Sequence, residues 1–220
     1  MKFLILAVSY KYGGLCVAGL NLDSLEYVRI GYSKGDECAA IPAWKFRRQT
    51  VDGEIQLNVL DVIDIDVVKM VHNGCQTENY YLKNINNYDG TFTIADIDAI
   101  YRKLEKRTCI FLNNSDYVDI EHINNLDCSL QFVKVENFTV TQYSNINDNQ
   151  RLQAAFNYNG RKYNNIRVTD SVFSAYPSCY GDVQKVCSRQ NAYIMVSLPY
   201  DKWSIEHGRF YKYVAGIILI

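Results

Sequence analysis

Apolar runs of strand length, separated by short polar breaks, follow one another along most of the chain. The stretch ILAVSYKYGGLCVAGL (residues 5–20) sets two such runs on either side of Lys11, Tyr12, Gly13 and Gly14. Paired glycines supply the positive φ angles of a tight turn, so the stretch predicts a β-hairpin. A dinucleotide loop would need spaced glycines leading into a helix, and a phosphate loop a closing Gly-Lys-Ser/Thr. LEYVRIG (25–31) predicts a third strand. Residues 59–71 alternate apolar positions with Asp61, Asp64 and Asp66, the period of two of a strand with one wet face. One helix is predicted over about residues 94–107. Thr93 stands at its cap, Ile94, Ile97, Tyr101 and Leu104 recur at helical spacing, and Arg102, Lys103, Lys106 and Arg107 complement the dipole toward its end.

From residue 129 the pattern is nearly all strand: SLQFVKVENFTVTQYS, QRLQAAFNY, RKYNNIRVTD, NAYIMVSLPY and RFYKYVAGIILI. Asn159-Gly160 between two of these runs is the strongest short hairpin signal in the chain. Short strands at this density form small barrels. The expected fold class is mainly β, with two small OB-like β-barrels and one notable helix. Residues 1–128 would form the first domain, with the helix inserted, and residues 129–220 the second.

Composition sets bounds on function more than it points to one. The 220 residues carry a net charge of −1, but residues 129–220 hold ten Lys and Arg against six Asp and Glu, while residues 1–128 hold thirteen against eighteen. A modest positive excess suits either a phosphate backbone or plain solvated surface. The seven cysteines form no C-x-x-C and no Cys/His knuckle, so no zinc site is expected, and free thiols in this number fit a reducing cytoplasm. The apolar FLILAV after Met1-Lys2 is too short for a signal core, and 214–220 is too short to span a bilayer. A cytoplasmic protein with no membrane partner is the expectation. His72, His122 and His207 are scattered and lie beside no nucleophile motif. Alternate residues on one strand face lie roughly 7 Å apart, too far for Asp61, Asp64 and Asp66 to hold one cation without other elements, and a solvated face accounts for them. No catalytic signature, cofactor loop or metal motif is present, so no enzyme activity, cofactor or metal is expected.

Binding has more support. Eighteen tyrosines include several interleaved with cations: Tyr10-Lys11-Tyr12, Arg161-Lys162-Tyr163 and Phe210-Tyr211-Lys212-Tyr213. On a barrel of this type, exposed rings stack bases while Lys and Arg meet phosphates. The same alternation also suits any half-exposed sheet. QTENYYL (76–82) reads as an irregular stretch whose amides and carboxylate suit base edges or ribose hydroxyls, or equally the backbone of a turn. Thr169-Asp170 ends a strand and caps the short SVFSAY segment.

The ordered set LILAVSYKYGGLCVAGL, YVRI, QTENYYL, AAFNYNGRKYNNIRVTD, AYIMVSLPY and FYKYVAGIILI resembles the dual OB-fold proteins associated with prokaryotic conflict and defence systems. The likeness runs from residue 4 to residue 218. It departs from the family pattern at Tyr80, where Trp is expected, and at Ser171, where Pro is expected. The resemblance implies two OB-folds and a non-enzymatic role in recognising single-stranded DNA or RNA or a nucleotide, as a sensor or accessory component beside an effector protein. Carried over position by position, it brings forward Ser9, Arg29, Gln76, Glu78, Asn79, Thr169, Asp170 and Lys212 as nucleic-acid-binding candidates, to which the aromatic–cation reading adds Lys11. The competing expectation is a protein-interaction scaffold or regulatory subunit that docks the effector enzyme.

Overall fold

The computed structural model describes residues 1–11, 13–34, 37–69, 74–144, 150–175 and 184–220. Its contacts gather into two units, Met1–His72 with Gln76–Glu105, and Asn73–Cys75 with Lys106–Ile220. Strands dominate both, in line with the mainly β expectation.

The first unit contains β1 (Lys2–Lys11), β2 (Gly14–Asn21), β3 (Tyr27–Lys34), β4 (Glu37–Ala39), a 3-10 turn at Ala43–Lys45, β5 (Arg47–Thr50), β6 (Gly53–Gln56), β7 (Asp61–Lys69), β8 (Asn79–Thr91) and α1 (Ile94–Tyr101). The opening hairpin forms as the glycines require: Lys11 faces Gly14, and Gly13 has φ +83°. Antiparallel pairings join β1 to β2, β2 to β3, β7 to β8 and β7 to β1, and a parallel pairing joins β3 to β8. Those five pairings make a ring. Phe3, Ile5, Val17, Val28, Ile30, Ile63 and Ile65 fill its interior. β5 and β6 form a separate hairpin that the polar stretch around Trp44 did not announce.

The second unit contains β9 (Tyr117–Asp119), α2 (Ile120–Ile123), β10 (Leu130–Ser144), β11 (Gln150–Tyr158), β12 (Arg161–Val168), α3 (Ser171–Ser174), β13 (Gln184–Ser197), α4 (Lys202–His207), β14 (Arg209–Tyr211) and β15 (Tyr213–Leu219). Five of the strands close a barrel in the order β10-β11-β12-β15-β13, again with one parallel pair, β12 and β15. The two units therefore share one strand order: first, second, third, last, fourth and back to first. Asn159 (φ +48°) and Gly160 (φ +72°) turn between β11 and β12, the pair of left-handed residues that a two-residue hairpin needs. RFYKYVAGIILI is not one strand. It breaks at Lys212, so that β14 pairs with β9 outside the barrel while β15 closes it.

The contacts divide at Glu105 and Lys106, whereas the run of strands from residue 129 puts the boundary at 128/129. Segment 106–116 packs into the second barrel, where Ile110 and Phe111 join the core. Polar side chains of the barrel hold its backbone. Tyr163 Oη accepts from Ile110 N at 2.9 Å, Gln131 Oε1 accepts from Phe111 N at 3.1 Å, and Tyr158 Oη donates to Arg107 O at 2.7 Å. The same attachment shortens the helix. Thr93 and Asp96 form the capping box, but α1 ends at Tyr101, because Lys103 and Leu104 turn tightly onto Ile100 and Tyr101. Beyond it Arg107 bonds Asp127 at 2.6 Å.

Glycine tests the closure of the first ring. A Cβ on Gly19 would run into the Leu4 carbonyl oxygen of the neighbouring strand, whereas one on Gly13 would meet no neighbour and only the unfavourable φ. Gly19→Ala is expected to lower unfolding stability by about 2 kcal/mol or more, and Gly13→Ala by only about 1–2 kcal/mol. Urea melts of the two variants check the order.

Candidate functional site

Most of the residues brought forward from the sequence gather at the one parallel seam of each barrel, while Ser9 and Lys11 lie on the opening β1–β2 hairpin. In the first, β3 and β8 pair over Arg29–Gly31 and Asn79–Tyr81. Arg29 N donates to Glu78 O at 2.9 Å, and the Arg29 guanidinium meets Glu78 Oε1 at 3.2 Å, both side chains buried. Asn79 Nδ2 donates to Gln76 Oε1 at 3.2 Å three residues back. QTENYYL is thus irregular only over its first three residues; Asn79 begins the thirteen-residue β8. Ser9 is also buried and its hydroxyl donates to Cys16 O across the hairpin. Lys11 ends β1, and its side chain lies outside the described residues, as do Tyr12, His72 and Cys179 altogether.

In the second barrel the parallel ladder is only two residues long, Arg167 opposite Tyr213 and Val168 opposite Val214. Thr169 N extends it by donating to Val214 O at 2.9 Å. Asp170 continues it with a side chain. Its Oδ2 accepts from Ile217 N on β15 at 3.0 Å, and its Oδ1 accepts from Val172 N and Phe173 N, capping α3 as expected. Burial pushes the Asp170 carboxyl above the usual carboxylate range, against the pull of those three N–H donors. Lys212 is 1 % exposed. Its Nζ donates to Asn113 O at 2.8 Å and to Asn113 Oδ1 at 2.7 Å, and its N donates to Asp116 O. Burial lowers this amine to about 7, opposed by Cys109 and Asp116 nearby.

These placements give the buried candidates internal partners and leave the outer wall to others. The rings of the aromatic–cation stretches divide as well. Tyr163 and Phe210 are core, Tyr211 and Tyr213 are half-buried, and Tyr10 is exposed. On the outer wall of the second barrel, the β11–β12 hairpin presents Arg151, Gln153 and Asn157 on one strand, and Lys162 and Arg167 on the other, with Asn157 opposite Lys162 and Gln153 opposite Arg167. Arg167 also lies over the ring of Tyr213 at 5.6 Å. The chain from 150 to 168 holds four Lys or Arg and no Asp or Glu, a signal available in the sequence but averaged away when charge is counted by halves. Glu136 on β10 is the carboxylate that the pairing sets beside Asn157. The matching strands of the first unit differ. β2 holds no cation, and the side chain of Arg29 on β3 is committed to Glu78.

A family model described as a dual OB-containing domain matches residues 1–217. The chain belongs to that family. No curated protein and no solved structure matches it. Two OB-type barrels are therefore the architecture of this dual OB chain, and no helix among its described residues is long and apolar enough to cross a membrane. Its strand carboxylates serve separate purposes: Asp61 accepts from Thr91 Oγ1 and Asn58 N, and Asp64 pairs with the Met1 amino group. Among the described residues no three His, Cys, Asp or Glu side chains stand close enough to hold a metal ion.

Lys212 makes the seam of the dual OB chain sensitive to pH. Between about pH 7 and 10.5 the amine is neutral in the fold and protonated in the unfolded chain, so the unfolded state holds the extra proton and stability rises with pH. From pH 7 to 9 the stability of the native chain is expected to gain about 1 kcal/mol or more relative to Lys212→Met. Paired denaturant melts across that range check it, and parallel curves would show that the amine keeps its ordinary affinity for protons.

Proposed function

We propose that the dual OB chain binds single-stranded nucleic acid, by contact rather than catalysis, on the outer face of β11 and β12. The arrangement of Arg151, Lys162 and Arg167 among the amides of Gln153, Asn157 and Asn164 carries this reading. It is a cation-and-amide face with no carboxylate on either strand, on the pair of strands that OB barrels use for oligonucleotides. Cations spaced along two strands suit the repeated phosphates of a strand better than the single cluster of a nucleotide. In this reading the buried candidates Arg29, Gln76, Glu78, Asn79, Asp170 and Lys212 are the frame that holds the barrels shut, and Tyr213 beside Arg167 offers a ring edge to the first base. The family resemblance supports a sensor or accessory role beside an effector in a prokaryotic defence system.

Fluorescence anisotropy with a short labelled DNA or RNA strand tests the face. Neutralising about three phosphates gives a slope near −2 in log affinity against log salt, at about −0.7 per contact for a single strand. The triple variant Arg151→Glu, Lys162→Glu, Arg167→Glu is expected to abolish binding at low salt while melting as the native chain does. Binding that is indifferent to salt, or that survives the triple variant, would remove the proposal.

A further inference from the structure

Between β13 and β15 the second barrel carries an insertion, α4 and β14, whose rings form a connected array. Trp203 on α4 is half in solvent, 49 % exposed. The His207 imidazole, one helical turn on, stacks on it at 4.2 Å with 14° between the planes, and His207 Nδ1 is bonded to Trp203 O at 2.8 Å. Tyr211 lies 5.9 Å from Trp203 and 5.8 Å from Tyr117 on β9, and the Arg209 guanidinium sits 4.9 Å over Tyr117. What sets Trp203 apart is its company: a partly solvent-facing indole backed by a cluster of other rings. Asp201 caps α4 through Ser204 N, and left-handed Gly208 ends it, so the backbone that presents the indole is fixed at both ends.

The array is continuous with the cationic face. Tyr211 ends β14 and Tyr213 begins β15, both half-buried, with Lys212 turned inward between them. Tyr213 in turn lies against Arg167. The order along the surface is Lys162, Arg167, Tyr213, Tyr211, Trp203. Arg209 adds positive charge at the far end, and Lys202 is held by Glu206 at 3.7 Å.

We infer that Trp203, with Tyr211 and Tyr117 behind it, is a stacking platform for an unpaired base of the strand whose phosphates run over β11 and β12. This deepens the binding function proposed above and rests on it. An aromatic face takes any base and costs little ordering when the ring is already supported, so the platform would favour unpaired over duplex DNA without selecting a sequence.

The test uses the full chain carrying Trp44→Phe, which leaves Trp203 as its one indole. It is titrated with an oligothymidine strand and with an abasic strand of equal length, reading anisotropy and indole emission together. Oligothymidine should quench Trp203 emission and the abasic strand should not. Trp203→Ala should weaken oligothymidine binding about tenfold and leave abasic binding unchanged, while Trp203→Phe keeps most of the affinity. Saturating binding with silent emission overturns the platform and leaves the cationic face standing. An equal loss for both strands in Trp203→Ala also overturns it and assigns the rings to support or to protein docking. If neither strand binds the native chain at low salt, the cationic face fails first and the platform falls with it.

Discussion

Each barrel in this chain depends on one short parallel seam. Antiparallel neighbours are joined through hairpins and long ladders, but the third and last strands run the same way and meet over only two or three residues. Parallel pairing is the weaker kind per residue, and a barrel left unclosed would expose two strand edges. Side chains make up the shortfall. Asp170 takes the Ile217 N–H that the ladder does not reach, and in the first ring Arg29 and Glu78 pair through both backbone and side chains. Buried groups of this kind are costly when half satisfied and directional when fully satisfied. Among the described residues, a good share of the buried polar side chains stands where closure is decided: Arg29, Gln76, Glu78 and Asn79 in the first ring, Asp170 in the second.

That economy explains why residues that looked like ligand contacts are internal. A Gln-x-Glu-Asn run before a strand and a Thr-Asp pair after one are well made for bonding, and a seam needs the same amides and carboxylates that a base edge would. Residue type does not distinguish the two uses. Burial does, and burial follows from partners distant in sequence: Glu78 from Arg29, Lys212 from Asn113, Asp170 from Ile217.

Where a feature is decided locally, the residues announce it. Gly13 after Lys11-Tyr12, Asn159-Gly160, Thr93 three residues before Asp96, and Asp170 before Ser171 all form the turns or caps their chemistry demands. Two barrels were legible from the density of short strands. Features set at long range were not. The helix stops at Tyr101 although its periodicity continues, because the chain beyond is claimed by Asp127, Tyr158 and Tyr163 of the second barrel. Phe210 and Tyr163 read as surface rings on alternation and are core. The cationic face was hidden by averaging, since the acidic residues that dilute the charge of the second half lie outside β11 and β12.

The buried frame and the exposed wall are also mechanically one object. A lysine amine is expensive to bury, and its retention inside the barrel makes sense only if its position matters more than its charge. Anchored on Asn113, Lys212 fixes which way the chain faces as it leaves β14 for β15. With Lys212 turned in, its half-buried neighbours meet the rings and cations beside them, Tyr211 near Trp203 and Tyr213 near Arg167. An apolar residue at 212 would fill the space but would not bind two oxygens of one asparagine, and it could slip by a residue. A one-residue slip along a strand reverses every side chain. It would bury the two tyrosines and carry residue 212 to the surface. The two bonds from Lys212 to Asn113 thus join the chain between β14 and β15 to segment 106–116 in a way an apolar residue at 212 could not.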